Sequence, residues 1–368
     1  DEALRLQKQV NQFLIENLEG NHPSIAASHN NIASIFQSLD RYEEALTQQQ
    51  KAISILKQTL ESDHPDLIKC YGNLATIFQS LGRYEEAIEV QEYVVTLMNS
   101  TLGFNSFLVA TSYNNLASMY KDLEQFQEAI KAQRKSMFYQ LKSNPEHPSM
   151  GICYHNMGEY FFNLNHIDSA MFYGYKAYSI LKKTLPNSHH LLKAAEKYLS
   201  IYNIQSGQDR LTNRDCEGAR KHFYEALTYS DSIQAAVVYY LIGDSYYFDK
   251  EFELSIKNYN LSYSIEKYDR SIYLNSLCLS YLRMNNFPIA EELLKEYELV
   301  SSADGFVYRN WAIYHALQNQ PQLALTNLEK ALKLGFNDLQ KIEEEEAFEV
   351  LRDEPRYQAI VEQLRNRN

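Results

Sequence analysis

Asn31-Ile32-Ala33, Asn73-Leu74-Ala75, Asn115-Leu116-Ala117 and Asn156-Met157-Gly158 write one phrase four times, at intervals of 42, 42 and 41 residues. A second phrase follows each at the same spacing: Arg41-Tyr42-Glu43-Glu44-Ala45, Arg83-Tyr84-Glu85-Glu86-Ala87, Gln125-Phe126-Gln127-Glu128-Ala129 and His166-Ile167-Asp168-Ser169-Ala170. A fixed period of this length marks a stacked-repeat solenoid, in which each unit touches its neighbours and the array offers an extended concave surface. Arrays of this kind grip other proteins more often than they turn over substrates.

The stretch from His64 onward shows what one period builds. Pro65 fits a helix start, where its missing N–H costs nothing, and Asp63 is the expected cap just before it. Leu67, Cys70, Leu74, Phe78 and Leu81 then recur at spacings of three and four, the pattern of one apolar helical face. Gly82 ends this helix, and Arg83-Tyr84-Glu85-Glu86 opens a second with acids in its first turn. Ala87, Val90, Val94 and Leu97 form the inward face of that helix, and the small Ala87 allows a close crossing. Each unit is thus a helical hairpin that buries its apolar face only against another.

The pattern resembles the tetratricopeptide repeat, with Tyr71, Leu74-Ala75, Phe78 and Ala87 in its aromatic, Leu-Gly, Tyr and Ala places. The long spacing, the Asn-Leu-Ala core and the His22-Pro23, His64-Pro65 and His147-Pro148 starts are similar to the repeats of kinesin light chains. The resemblance covers roughly the first 200 residues. It implies an all-α fold, a right-handed α-solenoid of stacked helical hairpins.

Farther along the period shortens. Ala219, Ser255, Ala290 and Ala324 take the crossing place at intervals of 36, 35 and 34. Tyr239, Ile242-Gly243 and Tyr246 precede one of them, Leu274, Leu277-Cys278 and Tyr281 the next, and Tyr308, Trp311-Ala312 and His315 the last. Between the two arrays, Gln205 to Glu217 is polar and weakly periodic and reads as an enlarged loop between helices at about 191–204 and 216–229. The expected organisation is a long-period array over 1–204, the loop and a shorter-period array over 205–336, and capping helices over 337–368. Ala3-Leu4-Arg5-Leu6-Gln7 matches the outer helix of a repeat, so the array begins inside a unit and an upstream domain of the same polypeptide is expected. The closing tail, Leu334-Gly335-Phe336-Asn337-Asp338-Leu339 and Leu351 to Tyr357, would cover the last apolar face, with Glu343–Glu346 as its solvated side.

Composition narrows the function. Hydrophobic residues make up 45% of the 368-residue chain, and only 12 Gly and 8 Pro interrupt it, which suits helices joined by short turns. A net charge of −12 leaves no general basic field for nucleic acid as the main partner. Cys70, Cys153, Cys216 and Cys278 form no C-x-x-C pair; Cys70 and Cys153 share a repeat position and read as small packing residues in a reducing, cytoplasmic setting. No apolar run is long enough to insert in a membrane. Catalytic, phosphate-binding and cofactor motifs are absent, so neither an enzyme nor a cofactor is expected.

Candidate contact residues lie on the first helix of each unit. Asn31-Ser34-Ser38, Asn73-Thr76-Ser80, Asn115-Ser118-Asp122 and Asn156-Glu159-Asn163 each sit at i, i+3 and i+7, on one face. In tetratricopeptide proteins that helix lines the inner groove, so the resemblance implies a ladder of Asn along its wall. Asn amides both donate and accept, and would hold the main chain of an extended peptide without demanding a sequence. They could equally bond neighbouring helices and set the pitch of the array. Lys197 takes the fifth rung, Leu241 and Ser276 interrupt the ladder, and Asn310 resumes it. Tyr240, Tyr247 and Phe248 form a second candidate surface, although a chain with 29 Tyr also uses that residue as core filling. The leading expectation is a non-enzymatic module holding a peptide or helix of another protein, or an internal segment. The alternative is a regulatory or sensor segment of a larger enzyme or signalling protein.

Overall fold

The computed structural model describes residues 2–101, 106–267 and 269–366, without the side chain of residue 143. The chain falls into two compact units, Asp1–Tyr198 and Leu199–Asn368. Among the described residues every regular element is a helix.

The first unit opens with α1 (Glu2–Asn17) and continues as four hairpins: α2 (Pro23–Ser38) with α3 (Tyr42–Thr59), α4 (Pro65–Ser80) with α5 (Tyr84–Ser100), α6 (Ser106–Asp122) with α7 (Phe126–Ser143), and α8 (Pro148–Asn163) with α9 (Ile167–Thr184). The partners of each hairpin pack together, each hairpin stacks on the next, and the first helices touch directly, α2 on α4 and α4 on α6. This is a helical solenoid. Ala45, Ala87, Ala129 and Ala170 are wholly buried at the hairpin crossings, because any larger side chain would force the paired helices apart.

The helix starts carry one correction. The cap of α4 is His64, not Asp63: its ring Nδ1 accepts the backbone N–H of Asp66 at 3.2 Å. His22 caps α2 and His147 caps α8 the same way, at 3.1 and 3.2 Å. His189 repeats the device in front of α10 (His190–Thr212), accepting from Leu191 at 3.2 Å. At the next turn, Arg41 and Arg83 pair with Glu44 and Glu86 and lie over the rings of Phe36 and Phe78, 4.6 and 4.5 Å from their centroids. The second phrase thus packs back on the end of the first.

Every hairpin turn passes through one residue of positive φ. In the first unit these are Asp40, Gly82, Glu124 and Asn165, and in the second Arg214, Lys250, Asn285 and Asn319. Each stands five positions before the crossing residue, which is why that residue keeps its place in both periods.

The second unit holds α11 (Cys216–Leu227), α12 (Ser232–Phe248), α13 (Phe252–Ile265), α14 (Arg270–Arg283), α15 (Phe287–Val300), α16 (Gly305–Leu317) and α17 (Pro321–Lys333). It ends in α18 (Gln340–Glu343), a 3-10 helix (Glu346–Leu351) and α19 (Pro355–Arg365). The enlarged loop expected at 205–217 does not exist: α10 runs 23 residues to Thr212 and leaves a three-residue turn, Asn213 to Asp215, before α11. Its polar residues face outward along the added turns, where Gln205 and Asn213 bond to Asp209 at i+4 and i−4. A helix with that much exposed surface loses the apolar period without losing the helix.

At the end of the chain, Tyr357, Ile360, Val361 and Leu364 of α19 are buried, and α19 packs on α17. The acidic run is not a uniformly solvated face. Glu345 is 4% exposed, held by Arg283 at 2.7 Å and by Arg309 at 3.1 Å, while Glu343, Glu344 and Glu346 face solvent. The buried guanidinium of Arg309 and the half-buried one of Arg283 need that carboxylate, and the sequence alone placed no cation beside it.

Candidate functional site: the asparagine rungs of the first helices

In the first unit the stacked first helices bring the sequence-predicted rungs onto one wall, and the rungs do different things. Asn73 Nδ2 donates to Asn30 Oδ1 at 2.8 Å, and Asn156 Nδ2 donates to Asn114 Oδ1 at 3.1 Å. Those two side chains clasp adjacent first helices. Asn31 is exposed and Asn115 half-buried, and neither makes a side-chain hydrogen bond among the described residues. The neighbours at i+3 form a further series. Thr76 accepts from Gln37 at 3.3 Å, Ser118 accepts from Gln79 at 3.2 Å, and Glu159 pairs with Lys121 at 3.7 Å. Gln37, Gln79 and Lys121 stand 42 residues apart, each reaching into the following repeat. Ser34 is exposed and donates only to its own helix, to the carbonyl of Asn30 at 3.1 Å.

A third series was missed in the sequence. Gln49, Gln91 and Gln133, spaced by 42, lie on the inner faces of α3, α5 and α7 and are wholly buried. Gln49 Nε2 donates to Asn30 Oδ1 at 3.1 Å and to the carbonyl of Cys70 at 3.0 Å; Gln91 Nε2 donates to the carbonyl of Ser112 at 3.0 Å; Gln133 Nε2 donates to Asn114 Oδ1 at 3.1 Å. Their period was available as a signal. A polar residue on an apolar face, however, reads as an interruption until the partner helix is known.

Two cavities open between successive first helices. One, about 340 Å³, is lined by Gly72, Asn73, Thr76, Gln91 and Asn115 among others; the next, about 260 Å³, by Asn114, Ser136, Gln140 and Cys153 among others. The first cavity has Asp66 and Lys69 in its wall, and burial raises the Cys153 thiol in the second; on the same helices burial pushes the Cys70 thiol up to about 11 and lowers His155, whose ring meets Tyr198 edge-on at 4.9 Å. The chemistry on offer is amide and hydroxyl hydrogen bonding. Lys197 is exposed on α10.

In the second unit, Asn310 is wholly buried rather than free, donating to Asn275 Oδ1 at 2.8 Å and accepting from Arg309 at 3.3 Å. Tyr247 accepts from Arg283 Nε at 3.2 Å and so joins the group around Glu345. Tyr240 shares a hydrogen bond with Ser276 at 3.0 Å and lines an apolar cavity of about 350 Å³ with Ile233, Val237 and Ile272. Phe248 is exposed and lies under the guanidinium of Arg214, 4.4 Å from its carbon. Of the predicted aromatic group, Tyr247 and Phe248 meet edge-on at 6.0 Å.

The hairpins, their buried crossing alanines and the recurring Asn phrase are those of a known repeat. Residues 1–58, 24–100 and 108–183 match the family model of the tetratricopeptide repeat. Over those residues the chain is a tetratricopeptide-repeat array. Proteins of this family serve as protein–protein interaction modules, and that general role holds here. No curated protein matches the sequence. Among solved structures, the kinesin light chain repeats of Podosopora anserina are 24% identical over 56% of this chain and 96% of that one, with a TM-score of 0.46. Aspartyl phosphate phosphatase F of Bacillus subtilis is 17% identical over 72% of this chain and 65% of that one, with a TM-score of 0.49. The yeast Sti1 TPR2AB domain, solved with a pHSP90 partner, is 15% identical over 84% of this chain and all of that one (100%), with a TM-score of 0.31. The family assignment rests on the repeat motif and its hairpins, not on these superpositions. Among the described residues, no helix is long and apolar enough to cross a membrane and no group of three His, Cys, Asp or Glu is placed to hold a metal ion.

Proposed function

We propose that the tetratricopeptide-repeat protein binds an extended peptide of another protein, or an internal segment, along the first helices of its first unit, without catalysis. One observation carries this reading. The rungs alternate: Asn73 and Asn156 are spent on holding the stack together, whereas Asn31 and Asn115 keep their amides unbonded on the same wall. An unbonded amide on a rigid helix loses little entropy when it meets a peptide main chain, and supplies both donor and acceptor. Ser34 and the half-buried Thr76 and Ser118 border the path. The net charge of −12 favours a protein over a nucleic acid as partner.

The test is selection of binders from a random-peptide display library, followed by affinity measurement on the parent and on an N31A/N115A variant. Selected peptides should bind the parent and lose about tenfold in affinity, ~1.4 kcal/mol, on the variant, whose melting temperature stays unchanged. Equal affinity for both, or no selectable peptide, would defeat the reading.

A further inference from the structure

The amide series of the first unit is broken at one step, and the break is built into the sequence. Asn30 on α2 and Asn114 on α6 hold the same repeat position, and α4 has Gly72 between them, 42 residues from each. At the two intact steps the Asn oxygen accepts twice. Asn30 Oδ1 takes Gln49 Nε2 at 3.1 Å and Asn73 Nδ2 at 2.8 Å; Asn114 Oδ1 takes Gln133 Nε2 and Asn156 Nδ2, both at 3.1 Å. At the middle step that oxygen is missing because glycine has no side chain.

The consequences appear on both expected donors. Gln91 Nε2 makes one hydrogen bond, to the carbonyl of Ser112, and Asn115 makes none among the described residues. Gln91 is wholly buried, and its Oε1 has no partner. Gln49 Oε1 is unpartnered too, so that oxygen alone does not mark the step. What marks it is that neither expected donor meets a side-chain amide oxygen there, beside empty space: a Cβ built on Gly72 meets nothing within 4 Å, and the cavity of about 340 Å³ has Gly72, Gln91 and Asn115 in its wall.

We propose that this gap is a socket for a neutral amide of the bound peptide, whose oxygen takes the place of the missing Asn oxygen between Gln91 Nε2 and Asn115 Nδ2. The inference rests on the peptide-binding reading and gives it a register point. An amide fits better than a carboxylate: both donors are neutral, and the cavity wall includes the apolar Val94 and Met98 and one charge of each sign, Asp66 and Lys69. An anion would leave water there with no net counter-charge, because Lys69 is matched by Asp66. An amide also carries an N–H, able to satisfy Gln91 Oε1. Its source is either a carboxamide side chain or a main-chain peptide group.

The test uses the full chain, labelled with ¹⁵N, titrated with acetamide, N-methylacetamide and acetate while the side-chain amide resonances of Gln91 and Asn115 are followed. Acetamide is expected to shift both saturably, and acetate neither. A response to acetamide alone supports a carboxamide source; a response to N-methylacetamide supports a main-chain source. Gly72→Asn should restore the double acceptor, raise the melting temperature by about 2–4 °C and abolish the response. Gly72→Ala narrows the space without supplying an oxygen, and should fold normally with a weakened response, which keeps the test valid if the Asn variant misfolds. No shift with either amide, an equal shift with acetate, or an undiminished shift in both variants overturns the socket. Peptides from display separate the two ideas. Binders that hold parent and Gly72→Asn equally overturn the socket and leave the groove standing; absence of any binder overturns the groove, while the acetamide titration still decides the socket.

Discussion

At the residue scale, the repeat is enforced by a few conformations rather than by conserved chemistry. The turn position takes Asp40, Gly82, Glu124 and Lys250 alike, all with positive φ. Only glycine adopts that region without steric cost, so the charged residues hold it because the helices on either side leave no alternative. Lys250→Gly and Glu124→Gly should therefore stabilise the fold by about 0.5–1 kcal/mol each, read as a rise in the denaturant midpoint at constant slope. A fall in midpoint would mean that the side chain contributes more than its backbone costs. The histidine caps argue the same way. His64 accepts one N–H through Nδ1, so His64→Ala should cost about 1 kcal/mol and His64→Asn much less. The turn and cap positions were visible as periodic sites in the sequence. The identity of the capping atom was not, because Asp63 is as good a candidate on paper as the residue beside it.

At the element scale, the apolar stripe of each helix was legible and the polar contacts between helices were not. Leu67, Cys70, Leu74 and Phe78 are buried as their spacing requires, but the inner face of α5 buries Gln91 more deeply than Leu97. Removing one acceptor of the amide series, Asn114→Ala, leaves the buried Gln133 Nε2 without its acceptor and leaves Asn156 Nδ2 only its 3.4 Å bond to Gln133 Oε1; a loss of about 1–3 kcal/mol is expected in equilibrium unfolding. Asn31→Ala, with no bond to lose, should stay within about 0.5 kcal/mol of the parent. In α12, burial pushes the Asp244 carboxyl up to about 6 from its ordinary 3.8, against the pull of the Tyr259 hydroxyl that donates to it at 2.7 Å. The folded state thus favours the protonated acid. That contribution is whole below the ordinary carboxyl range and is lost as pH climbs through about 6. Asp244→Asn keeps an acceptor for Tyr259 and should remove this part of the pH slope, up to about 3 kcal/mol across pH 4–6. An unchanged slope would place the carboxylate in contact with water.

At the scale of the whole molecule, stability in a stacked array is a sum of repeat and neighbour terms. Damage at the closing end should therefore stay local. Glu345→Ala leaves Arg309, itself 7% exposed, without its carboxylate, and should cost about 3–5 kcal/mol. Hydrogen exchange should then show lost protection in α16, α17 and α19, with α2 to α5 unchanged. Loss spread evenly over all helices would contradict nearest-neighbour coupling. The position of the division between the two units also belongs to this scale. Composition pointed to a loop after residue 204, whereas the contact-defined division falls at Tyr198–Leu199, within α10.

The sequence by itself determined the family, the hairpin as building block, both repeat periods, the crossing residues and the stripe on which the rungs stand. Each of these follows from periodic spacing along one chain, and spacing is what a sequence records. The tertiary structure decided which rungs are spent and which are open, which buried Gln meets which Asn, why Glu345 differs from its acidic neighbours, and what the absent side chain at Gly72 leaves behind. Those facts depend on atoms from helices about 20 to 60 residues apart meeting within hydrogen-bond distance, a coincidence in space that period alone does not specify.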